Sequence, residues 1–206
     1  MIFSQDELSR LEERVGIALS EHRFLHTLGV KRAALRLGDG LLSRDDLSEL
    51  SAAALLHDIA KEMPLEELHS LVRREFHAIP EVELIPAVLH SYAAPVVIKR
   101  DFPEFATEKI LSATYSHTLG RPEMTPFDKI IFIADYVEDG RVWYACRALS
   151  EKLFSGYNTL DADGKIKRIN EAILESIDNT IISLRERGAR CSEQMLLTRA
   201  SILTEI

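Results

Sequence analysis

Apolar residues in this chain recur at helical spacing, and this periodicity restricts the fold more than any other feature of the sequence. Leu8, Leu11 and Val15 stand three and four positions apart, which places them on one face of an α-helix. The segment Ser4-Gln5-Asp6-Glu7 precedes them and has the form of a capping box. Because nearly every apolar segment shows this spacing rather than the alternation of a strand, the sequence predicts an all-α fold.

Start and stop signals place the helices of the first half. A second helix is expected from about Glu21 to Leu37, ending at Gly38-Asp39-Gly40. Ser43 can cap a third that runs up to the pair His57-Asp58.

In the second half of the chain, the signals for helix boundaries are weak before Thr125 and stronger after it. Helical pieces are expected around Val82–His90 and Phe105–His117, with Pro95 and Pro103 as breaks. Thr125-Pro126 predicts a helix start, with the cap and the proline in their favoured places. The longest helix is expected around Lys165–Arg187, ending at Gly188.

Length and composition bound the organisation of the chain. With 206 residues, 46% of them hydrophobic, the chain is long enough for one core and short for two. The sequence shows no internal repeat, low-complexity tract or long linker. It therefore predicts one domain over residues 1–206, a helical bundle with a core at about 20–141 and C-terminal helices at about 142–206.

Charge and cysteine usage exclude several classes of protein. A formal net charge of −8 argues against a nucleic-acid binder, which needs an excess of Lys and Arg. Cys146 and Cys191 form no CxxC motif, so we expect reduced thiols and a cytoplasmic protein. We expect neither a signal peptide nor a membrane segment, since the start lacks a basic region and a long apolar run.

Histidines and aspartates stand at the ends of apolar helical stretches, in the order H…HD…H…H…D. These are His26, the pair His57-Asp58, His90, His117 and Asp135. Neutral imidazoles and carboxylates bind divalent metals, and a buried carboxylate without a partner is costly. The ordered set predicts a metal site in the core. Either one metal lies between His57 and Asp58, or two metals are bridged by Asp58.

The other histidines carry less information. His22 and His26 have the HxxxH spacing that can bind zinc alone, but the Glu of the zinc-protease motif HExxH is missing between them. His69 and His77 are expected to be exposed.

Cations accompany the predicted ligands. Lys61 follows His57 by four residues and would share its helical face if that helix continued. Arg23 precedes His26 by one turn, and Arg141 follows Asp135 by six residues. Cations beside a metal cavity suit a phosphorylated substrate, whose charge must be neutralised.

The chain resembles the HD-domain metallophosphohydrolases, and within them the YqeK group of bacterial symmetrical diadenosine tetraphosphate hydrolases. The resemblance covers roughly residues 20 to 190. The segments that carry it are His22–Val30, Ala54–Lys61, the His90 turn, His117-Thr118-Leu119-Gly120 and Asp128–Glu138, followed by Arg141.

The resemblance implies an all-helical HD domain that holds a divalent metal pair. Iron is the expected metal, with manganese, magnesium or another divalent ion as alternatives. One metal would be held by His26, His57, Asp58 and Asp135, and the second by Asp58, His90 and His117. Asp58 and Lys61 would serve catalysis, and the implied reaction splits diadenosine tetraphosphate into two ADP. The implied nucleotide pocket is lined by Arg23, Thr118, Glu138 and Arg141.

Three departures from the family pattern all touch the pocket that selects the nucleotide. Ser91 stands where the family often has Gly, and Leu119 replaces the second Thr of His-Thr-Thr-Gly. Where the family commonly has Glu-Pro-x-Arg, this chain reads Glu138-Asp139-Gly140-Arg141. Three alternative functions stay open. The first is another HD-type phosphohydrolase, which would act on a mononucleotide, a nucleoside triphosphate or an alarmone. The others are a nucleotide-binding regulator without turnover and a di-iron oxygenase. We expect a small nucleotide or dinucleoside polyphosphate as ligand, and the apolar faces after Arg141 suggest a homodimer.

Overall fold

The computed structural model describes residues 3–76, 79–80 and 83–206, and these residues contain helices and no strand. The prediction of an all-α fold is confirmed. The α-helices of the described residues are α1 (Gln5–Ala18), α2 (Glu21–Gly38), α3 (Arg44–Leu56), α4 (Leu65–Glu75), α5 (Pro86–Asp101), α6 (Glu108–Ser116), α7 (Pro126–Val137), α8 (Tyr144–Phe154), α9 (Ala162–Glu186) and α10 (Glu193–Leu203). Short 3-10 helices lie at Pro103–Phe105 and Tyr157–Thr159.

Side-chain caps begin the helices where the sequence predicts them. Ser4 and Glu7 form the predicted capping box of α1, and the Ser43 side chain accepts from the Asp46 N–H at the start of α3. Thr125 caps α7 in a second capping box, with Pro126 at its first position. Each cap satisfies backbone N–H groups that have no partner inside the helix.

The centre of the molecule is made by α2, α3 and α7, which pack against one another. Ala52, Ala53 and Ala54 of α3 are fully buried, and their small side chains let neighbouring helices approach closely. The run Ile130–Ala134 makes α7 apolar on nearly all sides and places it in the core. α8 and α9 also pack against α7.

α5 differs from the sequence prediction. The sequence predicts a turn after His90 and a break at Pro95, but α5 continues through both positions to Asp101. Proline inside a helix costs about 3 kcal/mol, whereas burying a Leu, Val or Ile side chain contributes about 1.5–3 kcal/mol. Leu89, Val97 and Ile98 are all buried where α5 packs between α4 and α6, so packing outweighs the local penalty.

Other local predictions have mixed outcomes. His69 is half-buried rather than exposed, whereas His77 and the predicted helix start at Val82 lie outside the described residues. α3 ends at Leu56, and turns carry the chain from His57 to Glu62. Within the described part of the chain, no helix has the length and apolar character needed to cross a membrane.

Candidate metal centre

Five helices bring the predicted metal ligands to one place in the core. His26 comes from the first turns of α2, and His57 and Asp58 directly follow α3. The remaining three are His90 in α5, His117 just after α6 and Asp135 near the end of α7. All are buried except Asp135, whose side chain is 24% exposed.

The two carboxylate oxygens of Asp58 face two different pairs of histidines. Oδ2 lies 3.7 Å from Nε2 of His26 and 3.6 Å from Nε2 of His57. Oδ1 lies 3.1 Å from Nε2 of His90 and 3.6 Å from Nε2 of His117. Two clusters suited to a metal ion therefore share this carboxylate, one made of His26, His57 and Asp58 and the other of Asp58, His90 and His117.

Asp135 extends the first cluster. Its Oδ1 lies 3.1 Å from Nε2 of His26 and 3.9 Å from Nε2 of His57. His22, the other member of the HxxxH pair, is exposed and belongs to neither cluster.

Each of the four histidines directs Nδ1 at an oxygen and Nε2 at the centre. For His57, His90 and His117 that oxygen is a carbonyl one helical turn back, at Ala54 (2.7 Å), Pro86 (3.1 Å) and Thr114 (2.6 Å). For His26 it is the Glu138 carboxylate. An N–H donated from Nδ1 fixes the ring orientation and leaves Nε2 free to bind a metal, which is the usual arrangement of metal-ligating histidines.

Glu138 is predicted to contact a nucleotide, and the structure places it beside a predicted metal ligand. It is 4% exposed, and its Oε1 lies 3.2 Å from Nδ1 of His26. Its Oε2 accepts a hydrogen bond from the Gly140 N–H at 2.6 Å. Glu138 is the first residue after α7, three positions beyond Asp135, and its contact with His26 depends on the turn that the chain makes there.

Several buried ligand atoms of the two clusters have no hydrogen-bond partner in the described part of the chain, which shows whether these side chains suit a metal ion. Among the residues that the structure describes, Nε2 of His26, Nε2 of His57 and Oδ1 of Asp58 are buried without a hydrogen-bond partner. Leaving such a group unpaired costs about 1–3 kcal/mol each. Imidazole nitrogens and carboxylate oxygens suit borderline divalent ions, so this donor set fits the divalent metals that HD domains bind.

The electrostatics of the centre favour the ligand forms of His57, His90 and Asp58, whereas they favour the protonated form of His26. Burial lowers the pKa of His57 and that of His90 to about 4, which keeps both imidazoles neutral at physiological pH. Burial would raise the pKa of Asp58, but His57, His117 and His90 hold it well below its usual range. For His26, burial opposes protonation, yet the adjacent carboxylates of Asp135 and Glu138 raise its pKa to about 9, so this imidazole must lose a proton to bind a metal.

The predicted cations lie against the ligands. Arg23 donates from Nη1 to Oδ2 of Asp58 at 2.8 Å, and Nζ of Lys61 lies 3.9 Å from Oδ1 of the same carboxylate. Arg141 donates to the Asp135 carbonyl from Nε and Nη2, at 2.8 and 2.6 Å, and to Oδ1 of Asp135 at 2.5 Å. Lys61 reaches Asp58 through the turns after α3, although the helix itself does not continue.

Thr118, predicted as a nucleotide contact, borders the second cluster. Its Oγ1 lies 3.2 Å from Nε2 of His90. Nζ of Lys61 lies 3.1 Å from the same nitrogen. Burial lowers the pKa of Lys61, against the opposing pull of Asp58 and Asp135.

A cavity of about 790 Å³ opens from the first cluster toward the surface. His26, Asp135, Arg23 and Arg141 line it together with Glu138 and a group of less polar side chains. Its volume lies in the range of small-molecule sites.

The fold and the site together define a class of protein. The HD domain family matches residues 23–140, which contain every ligand described above. The chain belongs to the HD domain family, and it is a hydrolase of that family.

Two bacterial proteins are similar to this chain over most of its length. The chain is 30% identical to the symmetrical bis(5'-nucleosyl)-tetraphosphatase of Bacillus subtilis, over 87% of this chain and 89% of that protein. It is also 30% identical to the protein of the same name from Halalkalibacterium halodurans, over 91% of this chain and 92% of the relative. Both alignments extend well beyond the HD domain itself, and they confirm the resemblance seen in the motifs.

A solved structure shares the fold over the whole chain. It is a predicted HD superfamily hydrolase involved in NAD metabolism from Clostridium acetobutylicum. The two chains are 27% identical and superpose with a TM-score of 0.81, with each chain covered completely.

Proposed function

We propose that this chain is a metal-dependent hydrolase that cleaves diadenosine tetraphosphate symmetrically into two ADP. One observation carries the proposal: the two oxygens of Asp58 face two histidine pairs, and two ligands of the first cluster, His26 and Asp135, line a cavity that also holds Arg23 and Arg141. The relatives named symmetrical tetraphosphatases, aligned over almost the full chain, support this substrate.

The proposed cofactor is a pair of divalent metals, with iron as the expected element. His26, His57, Asp58 and Asp135 would hold one ion, and Asp58, His90 and His117 the other. Bound divalent metals would supply Lewis-acid chemistry, which lowers the pKa of water and neutralises charge on a phosphoryl group.

The chain's own cations would bind and orient the phosphates. Lys61 lies beside Asp58 and His90, where its ammonium can neutralise charge that develops on the phosphoryl oxygens. Arg23 lines the cavity next to Asp58 and can bind a further phosphate oxygen. Arg141 is engaged with Asp135 and so holds that carboxylate against His26.

The reaction consumes one water and breaks one P–O bond. Water adds to the second or third phosphorus of the tetraphosphate bridge, and the oxygen that joins these two phosphates leaves with the other half. Both halves are then ADP. An asymmetric cut would yield AMP and ATP instead, so the nucleotide products identify the bond that breaks.

The test combines metal analysis with product analysis. Freshly purified protein is expected to contain close to two divalent metals per chain and to convert diadenosine tetraphosphate to ADP as the only nucleotide product. Production of AMP and ATP, or faster hydrolysis of a mononucleotide or a guanosine alarmone, would replace the proposed substrate. Bound metal and bound nucleotide without turnover would identify a regulator.

A further inference from the structure

We propose that the indole of Trp143 is a platform on which a nucleobase of the substrate stacks. This inference rests on the proposed function and extends it. The cations and the metal centre explain how phosphates are bound, but neither explains what holds a base.

Three exposed apolar side chains line the cavity that leads to the metal centre. Trp143 is 63% exposed, Val142 83% and Leu25 59%, and all three share the cavity with His26 and Asp135. Single exposed apolar residues are ordinary on a protein surface, but a cluster of them that opens from a charged centre is typical of a ligand site. The complementary ligand has an anionic part and a flat, weakly polar part, as a nucleotide has.

The backbone that carries Trp143 is fixed on both sides. Two residues before it, Arg141 donates to the backbone carbonyl and side chain of Asp135. On its other side, the carbonyl of Trp143 accepts a hydrogen bond from the Arg147 N–H at 3.1 Å, in the first turn of α8. The indole is therefore presented from an ordered segment, and ordering its two side-chain torsions costs little entropy on binding.

Stacking on an indole requires only a π face, and every nucleobase has one. A base held in this way is selected for its flat aromatic surface rather than for its hydrogen-bonding edge. We therefore expect ADP and GDP to bind with affinities within a few-fold of each other.

The chain offers a direct reporter, because Trp143 is its single tryptophan. The experiment titrates metal-loaded, full-length protein with ADP and, separately, with inorganic pyrophosphate, and follows tryptophan emission excited where adenine does not absorb. ADP is expected to quench the emission to saturation. Pyrophosphate, which keeps the phosphates and lacks the base, is expected to bind with little quenching.

Three variants separate stacking from structural effects. Trp143→Ala should weaken ADP binding by about 10-fold, within the range found when aromatic residues that stack on bases are replaced by alanine. It should leave pyrophosphate affinity unchanged, as measured by calorimetry. Trp143→Phe should keep most of the affinity. Tyr144→Ala is the matched control, since Tyr144 is the neighbouring aromatic residue and is 86% exposed.

The outcomes for the platform and for the proposed function can be told apart. If Trp143→Ala binds ADP as well as the unmodified protein, or keeps its KM for diadenosine tetraphosphate, the stacking proposal is wrong. The proposed hydrolase activity is not affected by that result. If the protein does not cleave diadenosine tetraphosphate, yet nucleotides quench Trp143 and pyrophosphate does not, the platform stands and the proposed substrate fails. A change in oligomeric state in Trp143→Ala, with ADP affinity retained, would assign the indole to an interface and overturn the proposal.

Discussion

Oε1 of Glu138 lies 3.2 Å from Nδ1 of His26, so the turn after α7 positions a histidine that belongs to α2. A carboxylate in this position orients the ring and raises its basicity as a metal ligand. Glu138 is itself held in place, because the Gly140 N–H donates to its other oxygen. The metal centre is thus supported by a contact between two elements that are far apart in the sequence.

The first prediction concerns the loss of this contact. Glu138→Ala should weaken divalent metal binding by about 10- to 100-fold, as is usual when a partner of a ligating histidine is removed. Glu138→Gln should weaken it less, because the amide oxygen can still accept from Nδ1 but carries no charge. Titration of metal-free protein with Mn²⁺ measures both effects. Unchanged affinity in Glu138→Ala would show that backbone packing alone positions His26.

The second prediction uses the glycine that makes room for Glu138. A Cβ at Gly29 would lie 2.3 Å from Oε2 of Glu138 and 3.1 Å from Oδ1 of Asp139. Gly29→Ala must therefore displace the Glu138 carboxylate, and we expect metal affinity to fall toward that of Glu138→Ala.

A double-mutant cycle provides the control for Gly29. Once the Glu138 side chain is removed, the methyl group introduced by Gly29→Ala has space, so the double variant should bind metal no more weakly than Glu138→Ala alone. Additive losses in the same Mn²⁺ titration would mean that the introduced methyl group perturbs the site by another route.

Much of this centre could be predicted because its ligands follow local rules. Each predicted ligand is His or Asp in or directly after an apolar helical run, and such polar groups in a core need partners.

What could not be predicted depends on packing between distant elements. The path of α5 through Pro95 is decided by its burial between α4 and α6, which no local signal encodes. The sharing of Asp58 between two ligand sets is implied by the family resemblance, but which of its oxygens faces which histidine pair depends on the relative placement of α2, α5 and α6. Trp143 lies outside the sequence motifs that predict the site, and the cavity that it shares with His26 and Asp135 is what places it near the metal ligands.

The third prediction distinguishes the role of the Asp58 carboxylate, which both clusters share, from that of the nearby Lys61 ammonium. Asp58→Ala should abolish metal binding and hydrolysis together, because the one carboxylate serves both clusters. Lys61→Ala should lower kcat while metal content stays near normal, since Lys61 contacts the ligands without belonging to either cluster. Metal analysis and steady-state kinetics on the same preparations measure both. Full activity in Asp58→Ala would contradict the metal centre.

The fourth prediction concerns Gly120, which shapes the turn after His117 and Thr118. Gly120 has a φ of +67°, and a Cβ there would lie 2.4 Å from Cγ2 of Thr198 in α10. Thr198 cannot easily retreat, because it is fully buried and its hydroxyl donates to the Leu119 carbonyl at 2.9 Å. Gly120→Ala should therefore combine left-handed backbone strain of about 1–2 kcal/mol with an overpacking cost of about 1–3 kcal/mol.

Gly156 supplies the matched control, since its φ is also +67° but the nearest atom to a Cβ there is Oγ1 of Thr159, at 3.8 Å. Gly156→Ala should show the backbone strain alone. Free energies of unfolding from urea titrations should thus rank the unmodified protein above Gly156→Ala and Gly156→Ala above Gly120→Ala. Under conditions in which both variants stay folded, only Gly120→Ala should lose hydrolytic activity, because the displaced turn carries His117 away from Asp58. Equal losses of stability and activity would mean that α10 yields to the new methyl group and does not hold this turn.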